Sequence, residues 1–175
     1  MRKFLLLVAL GVLAWIFMVP SCSTKFGCES ASAPAHADDG SCPESLDGAA
    51  HDQGWAAQRI ASLPQREEGD STHGLLYDSD GNETSLESGE SGPEYETAKD
   101  LLPMRSKQAA GHVEAKAAAA LRTAEEDFGV LVINNEPCDY ASGVGCAEAS
   151  ALILSSGSTM VIWWPGGRTV VRGKG

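Results

Sequence analysis

Four residues carry the chemistry open to this chain: His112, Glu114, Cys138 and Cys146. One neutral imidazole and two thiolates form a donor set suited to zinc, and three such ligands leave a fourth tetrahedral position for water. Zinc held this way makes its water acidic enough to supply hydroxide near neutral pH. A carboxylate beside the ion, but not bound to it, moves the protons such a reaction needs. Glu114 follows His112 by two residues, near enough for that role without being forced to ligate. Each residue also has a plainer reading. His112 alone is a histidine at the entry of a helix. Cys138 and Cys146 alone are a disulfide closing a short loop in an exported protein.

The elements that must position these residues are legible around them. "GHVEAKAAAALR" (residues 111–122) is nearly all good helix formers, so a helix is expected from about 112 to 123. "GVLVINN" (129–135) is a β-branched apolar run and reads as a buried strand. The loop "EPCDYASGVGC" then leads into a second helix, "CAEASALIL" (146–154), ended by a Ser-Ser-Gly-Ser turn. Free N–H groups and partial positive charge at a helix start favour a thiolate there. "TMVIWWP" (159–165) is a strand, Gly166-Gly167 a turn and "RTVVRG" a last strand. Upstream, "WAAQRIASLP" (55–64) is a helix that stops at Pro64. "HGLLYDSDGNETSLESG" (73–89) is a hairpin turning at Asp80-Gly81. Asp78, Asp80 and Asn82 mimic a calcium loop, but Gly89 stands where the twelfth-position Glu is needed, so the turn reading prevails. "ESGESGPEYETAKDLLPMRSKQ" reads as a polar connection without a period. The order hairpin, helix, strand, helix, strand, strand implies an α/β fold, a mixed sheet of about five strands covered by helices.

The chain of 175 residues has room for one domain and extras. Its net charge of -11 is uneven: residues 23–111 hold seventeen acids against six bases, and residues 112–175 seven against five. Acidity argues against a polyanion partner in general, but here it belongs mainly to the upstream half and to solubility. Arg2 and Lys3 precede an uncharged apolar run over residues 4–19, short for a membrane span and suited to a signal segment, so residues 1–22 point to export. Ser21-Cys22 resembles a lipoprotein cleavage site, with Cys22 as the lipidated anchor; the alternative is an uncleaved membrane anchor. Residues 23–50 are rich in Ser, Ala, Gly, Pro and Asp and read as a disordered tether without a packed core, followed by a domain over 51–175. Five cysteines do not make a full disulfide framework, although Cys28 and Cys42 could pair outside the cell.

The spacing of the four residues follows a known layout. Zinc nucleobase deaminases carry H-x-E and then P-C-x-x-C, with His and both Cys on zinc and Glu as the acid/base. His112-Val113-Glu114 matches the first half, and Pro137-Cys138 starts the second. Cys146 comes after seven intervening residues rather than two. "HVEAKAAAALR", "LVINNEPC", "GVGCAEASALIL" and "TMVIWWPGGRTVV", with the upstream helix and hairpin, resemble the SCP-type bacterial deaminase toxin family, which is related to the double-stranded-DNA cytosine deaminase toxin. The resemblance covers residues 55–175 and includes the longer Gly-rich loop between the cysteines. It implies a cytidine deaminase-like fold, zinc on His112, Cys138 and Cys146, and deamination of cytosine in DNA, single- or double-stranded. In that scheme a zinc hydroxide attacks C4 while Glu114 protonates N3 and then the leaving ammonia. It further implies a toxin domain with a cognate immunity protein.

Substrate contacts are expected from residues placed beside the site. The amides of Asn134 and Asn135, at the strand end, could bond a base edge or a phosphate, or simply make the turn. Tyr140 could stack on a base, or be an ordinary surface tyrosine. His73 and Tyr77 could line the pocket. Trp163 and Trp164 point to opposite faces of their strand, so at least one belongs to the core. Two other function classes remain open: an RNA deaminase, and an inactive exported binding protein with the same fold. The intact Glu114 argues against the second.

Overall fold

The computed structural model describes residues 25–28, 42–138 and 145–175. The expected signal segment, Cys22 and Tyr140 lie outside these. Among the described residues no helix is long and apolar enough to cross a membrane.

Two short helices open the domain: α1 (Leu46–His51) and α2 (Gln53–Ser62). The hairpin follows as β1 (His73–Tyr77) and β2 (Glu83–Glu87), then α3 (Pro93–Leu101) and a 3-10 helix (Met104–Gly111). Next come α4 (Val113–Thr123), β3 (Phe128–Ile133), α5 (Cys146–Ile153), β4 (Thr159–Trp164) and β5 (Gly167–Arg172). The five strands form one mixed sheet in the order β2-β1-β3-β4-β5. Only β3 and β4 run parallel, pairing Val130 with Val161 and Val132 with Trp163. A parallel pair needs a long crossover, and α5 lies in it.

The two-residue period of the strands divides the core. Leu76, Leu131, Ile133, Met160 and Ile162 face a layer made by α3, α4 and α5. Leu75, Tyr77, Val130, Val132, Val161 and Trp163 face Trp55 and Ala56 of α2 and Leu46, Ala49 and Ala50 of α1. Burial on both faces accounts for the unbroken apolar run of β3. Trp163 is thus core on the α2 side, and Trp164 packs partly buried against the α4–α5 layer. The calcium-like turn is a turn: the Asp78 carboxylate accepts from the N–H of Asp80 and of Asn82 and from the Asn82 amide.

Two expectations are corrected. The tether reading of residues 23–50 fails for the part described. Phe26 is 3% exposed and joins the α2-side core, and Trp55 Nε1 donates to its carbonyl at 3.1 Å. Arg59 donates to the carbonyl of Gly27, and Cys28 is joined to Cys42. Leu46, Ala49 and Ala50 are buried as well. Sparse apolar residues hid this, because one Phe and one Leu among Ser and Gly show no period. The polar connection also proves to contain a helix, α3. Pro93 sits in its first turn with Glu94 and Glu96, and Lys99 in its last, each placed to suit the helix ends. Its buried stripe is only Tyr95, Ala98 and, just past the end, Leu102, too narrow to dominate the polar surroundings.

Candidate metal centre

Two helix starts and one strand end meet at the same place. His112 is the N-cap of α4, with extended backbone at φ -80° and ψ 146°. It closes the preceding 3-10 helix through its N–H to Ala109 O, and its own carbonyl accepts from Lys116 N. The next residue, Val113, is fully buried. Space for it comes from Gly74 of β1, where a Cβ would lie 2.7 Å from Val113 Cγ1. A glycine in a strand marks such a close approach, and here it sets how deeply the mouth of α4 sinks onto the sheet. The rest of α4 is packed through Ala115, Ala117, Ala118 and Ala119, all buried, so the helix lies close to its neighbours.

Cys146 is the first residue of α5 and is 1% exposed; Cys138 follows the end of β3 and is half-buried. Their Cα atoms are 5.6 Å apart, and the Cys146 N–H donates to the Cys138 carbonyl at 3.1 Å. His112 Nδ1 lies 3.1 Å from Cys146 Sγ and 3.5 Å from Cys138 Sγ. The three donor atoms lie within 4.8 Å of one another. The cluster stands past the carboxyl end of β3, the position at which open α/β sheets gather ligands.

The donor set fits zinc in type and number, two sulfurs and one imidazole nitrogen. The structure carries the sulfurs joined as a disulfide. Ligation requires them apart, because metal ligands must be deprotonated thiolates. Burial pushes the His112 imidazole below its usual pKa, so the neutral, metal-binding form prevails over a wider pH range.

Glu114 sits in the first turn of α4 and is 4% exposed. Burial pushes its carboxyl above the usual carboxylate range, and its own backbone N–H offsets only part of that. A carboxyl raised in this way exchanges a proton closer to neutrality, as a general acid/base must.

The other expected contacts divide. Asn134 spends its amide on the fold: its Oδ1 accepts from His73 N at 2.9 Å and its Nδ2 donates to Pro64 O at 2.9 Å. It ties the end of β3 to the start of β1, as the turn reading has it. Asn135 beside it is half-buried. His73, held to Asn134 through both backbone groups, is at the same sheet end as the cluster. Tyr77 is not there. It is fully buried on the α2 side, edge-on to Trp55, with its hydroxyl donating to Glu83 Oε2 at 2.7 Å.

One supporting residue escaped the sequence reading. Lys116 is buried on α4, and its Nζ donates to Glu87 O at 2.8 Å, while Gly89 N donates to Gly111 O at 2.8 Å. Together these clamp the end of β2 against the segment that carries His112. A lysine among helix formers reads as solvent-facing, and only the alanines on both sides of it hint at close packing.

Residues 48–175 match the family model described as SCP1.201-like deaminase. Among curated proteins no match is found.

Proposed function

The chain belongs to the SCP1.201-like deaminase family, and on that premise we propose that it is a zinc-dependent deaminase converting cytosine to uracil in DNA. Its fold is of the cytidine deaminase-like type, a mixed five-stranded sheet between helical layers. The observation that carries the proposal is the convergence of His112, Cys138 and Cys146 at the mouth of the helix that bears the buried Glu114.

His112, Cys138 and Cys146 would hold the ion. Zinc in such a site supplies a water molecule acidic enough to act as nucleophile at neutral pH. The Glu114 carboxyl would carry a proton from the attacking water to the ring nitrogen N3. A second transfer to the exocyclic amine lets it leave as ammonia, so the balance is cytosine plus water to uracil plus ammonia. Burial of Glu114 supports this role, since a solvated carboxylate of ordinary pKa returns a proton poorly. Asn135 and Tyr140 are the proposed contacts to the base and its neighbours, with Asn134 fixing the strand end from which Asn135 projects.

The proposed setting is an exported interbacterial toxin with a cognate immunity protein, and Cys22 as its lipid anchor. It is supported by the signal-like residues 1–22 and by the resemblance to toxin domains. The test is an assay of the full chain, zinc-loaded under reducing conditions, on single-stranded DNA, double-stranded DNA and RNA. Uracil in either DNA form, abolished by Glu114→Ala with zinc still bound, is the expected outcome. Deamination of RNA alone selects the RNA enzyme instead. No uracil on any substrate with zinc bound overturns the proposal.

A further inference from the structure

We propose that Cys138 and Cys146 form a redox gate on the metal centre. Joined, they withhold both sulfur ligands; separated by a dithiol reductant, they offer them to zinc with little movement of the backbone. The inference rests on the reading of His112, Cys138 and Cys146 as one ligand set.

Three observations carry it. The joined pair is the same pair that completes the His/Cys cluster, so oxidation and metal binding exclude each other. The backbone holds the two cysteines together by itself, through the Cys146 N–H on the Cys138 carbonyl at 3.1 Å and a Cα separation of 5.6 Å. Two thiolates on one tetrahedral zinc, at about 2.3 Å from it, stand about 3.8 Å apart, a spacing that rotation about the two Cα–Cβ bonds can supply. Finally, His112 Nδ1 already faces both sulfurs, at 3.1 Å and 3.5 Å, so the third ligand does not have to be recruited.

The exposure of the pair gives the exchange a direction. Cys146 is 1% exposed and Cys138 half-buried, so Cys138 is the less enclosed of the two and the point of attack for an incoming thiolate. The electron pair of the breaking S–S bond leaves on Cys146, at the start of α5, where the helix end favours negative charge. The second thiol of the reductant then displaces Cys138 from the mixed disulfide. The sum is one protein disulfide plus one dithiol going to two protein thiols plus one small-molecule disulfide. Zinc binding afterwards releases the two thiol protons. A protein that passes through an oxidising compartment would in this way remain metal-free until it meets a reducing one.

The test uses the full chain purified without reductant. Free thiols are alkylated, peptides spanning residues 138 and 146 are mapped by mass spectrometry, and zinc content is measured before and after treatment with dithiothreitol and its removal. The expected result is an unmodified, disulfide-linked pair without zinc at first. After reduction, about one zinc per chain should bind, and the pair should then resist alkylation. Cys28→Ser with Cys42→Ser should leave this behaviour unchanged, whereas Cys138→Ser should remove the disulfide and the zinc together. Stoichiometric zinc in the untreated protein, or a pair open to alkylation from the outset, overturns the gate while leaving the metal centre intact. A reduced pair, both thiols free, that takes no zinc overturns the metal centre and the gate with it.

Discussion

His112 Nδ1 lies 3.1 Å from Cys146 Sγ, although the two residues are thirty-four positions apart and each begins a different helix. The helix starts are brought together because α4 and α5 pack on the same face of the sheet, over Leu131, Ile133, Met160 and Ile162. The site is therefore a consequence of the core, and perturbing the core near α4 should perturb the His112, Cys138 and Cys146 cluster.

Gly74→Ala tests that dependence. The added Cβ would come within 2.7 Å of Val113 Cγ1 and 3.0 Å of Ile133 Cγ2, in a part of the core with no slack. Overpacking of this kind costs about 1–3 kcal/mol. Zinc affinity of the reduced protein should fall as well, because Val113 adjoins His112. Gly129→Ala is the control. It clashes with Leu121 at 2.6 Å, far along α4 from the site, and should lower the thermal midpoint while sparing zinc affinity in the folded protein. Equal zinc affinity in both variants would separate the metal centre from the seating of α4.

Glu114→Gln should keep the zinc and lose the reaction. Glutamine has the same shape but cannot exchange a proton, and loss of a general acid/base costs about 10²- to 10⁴-fold in rate. Zinc content and turnover measured on the same sample decide it. A variant within a factor of two or three of the parent would remove Glu114 from the mechanism.

The same substitution has a pH signature in stability. Burial raises the folded-state pKa of Glu114 above its ordinary value of 4.5. The fold is therefore favoured by this group while the carboxyl is protonated, below 4.5, and that contribution is lost as pH rises through the folded pKa. In the metal-free protein, Glu114→Gln should thus raise the thermal midpoint at neutral pH, and the gain should vanish on acidification below 4.5. A gain that does not change with pH would point to packing rather than charge.

The layout of the site was legible because the chemistry is written in local patterns. His112 and Glu114 share one helix turn, and Pro137-Cys138 and Cys146 flank one loop. The sheet was legible for the same reason: β3, β4 and the hairpin are apolar runs bounded by turn residues. What stayed hidden depends on contacts between distant residues. Asn134 could be a ligand contact or a turn until His73 and Pro64 are seen on either side of its amide. Tyr77 looks like a pocket residue until its ring is seen edge-on to Trp55, on the other face of the sheet. Lys116 looks solvated until Glu87 receives its ammonium. None of these pairings leaves a trace in spacing along the chain.

Phe26 provides the last prediction, on where the domain begins. It lies twenty-five residues before the expected boundary at 51, yet it is 3% exposed among Trp55, Tyr77 and their neighbours. Its N–H donates to Gly81 O at 3.1 Å and its carbonyl accepts from Trp55, so the segment is fastened to the hairpin turn and to α2 together. Truncating such a ring costs about 3–5 kcal/mol, which lowers the midpoint of a domain this size by roughly 6–20 °C. Phe26→Ala should therefore unfold well below the parent chain, and a fragment starting at residue 51 should be weakened at least as much. His112, Cys138 and Cys146 are untouched by either change, so zinc should still bind at temperatures where both forms remain folded. Unchanged midpoints in thermal unfolding would return residues 25–28 and 42–50 to the role of a tether.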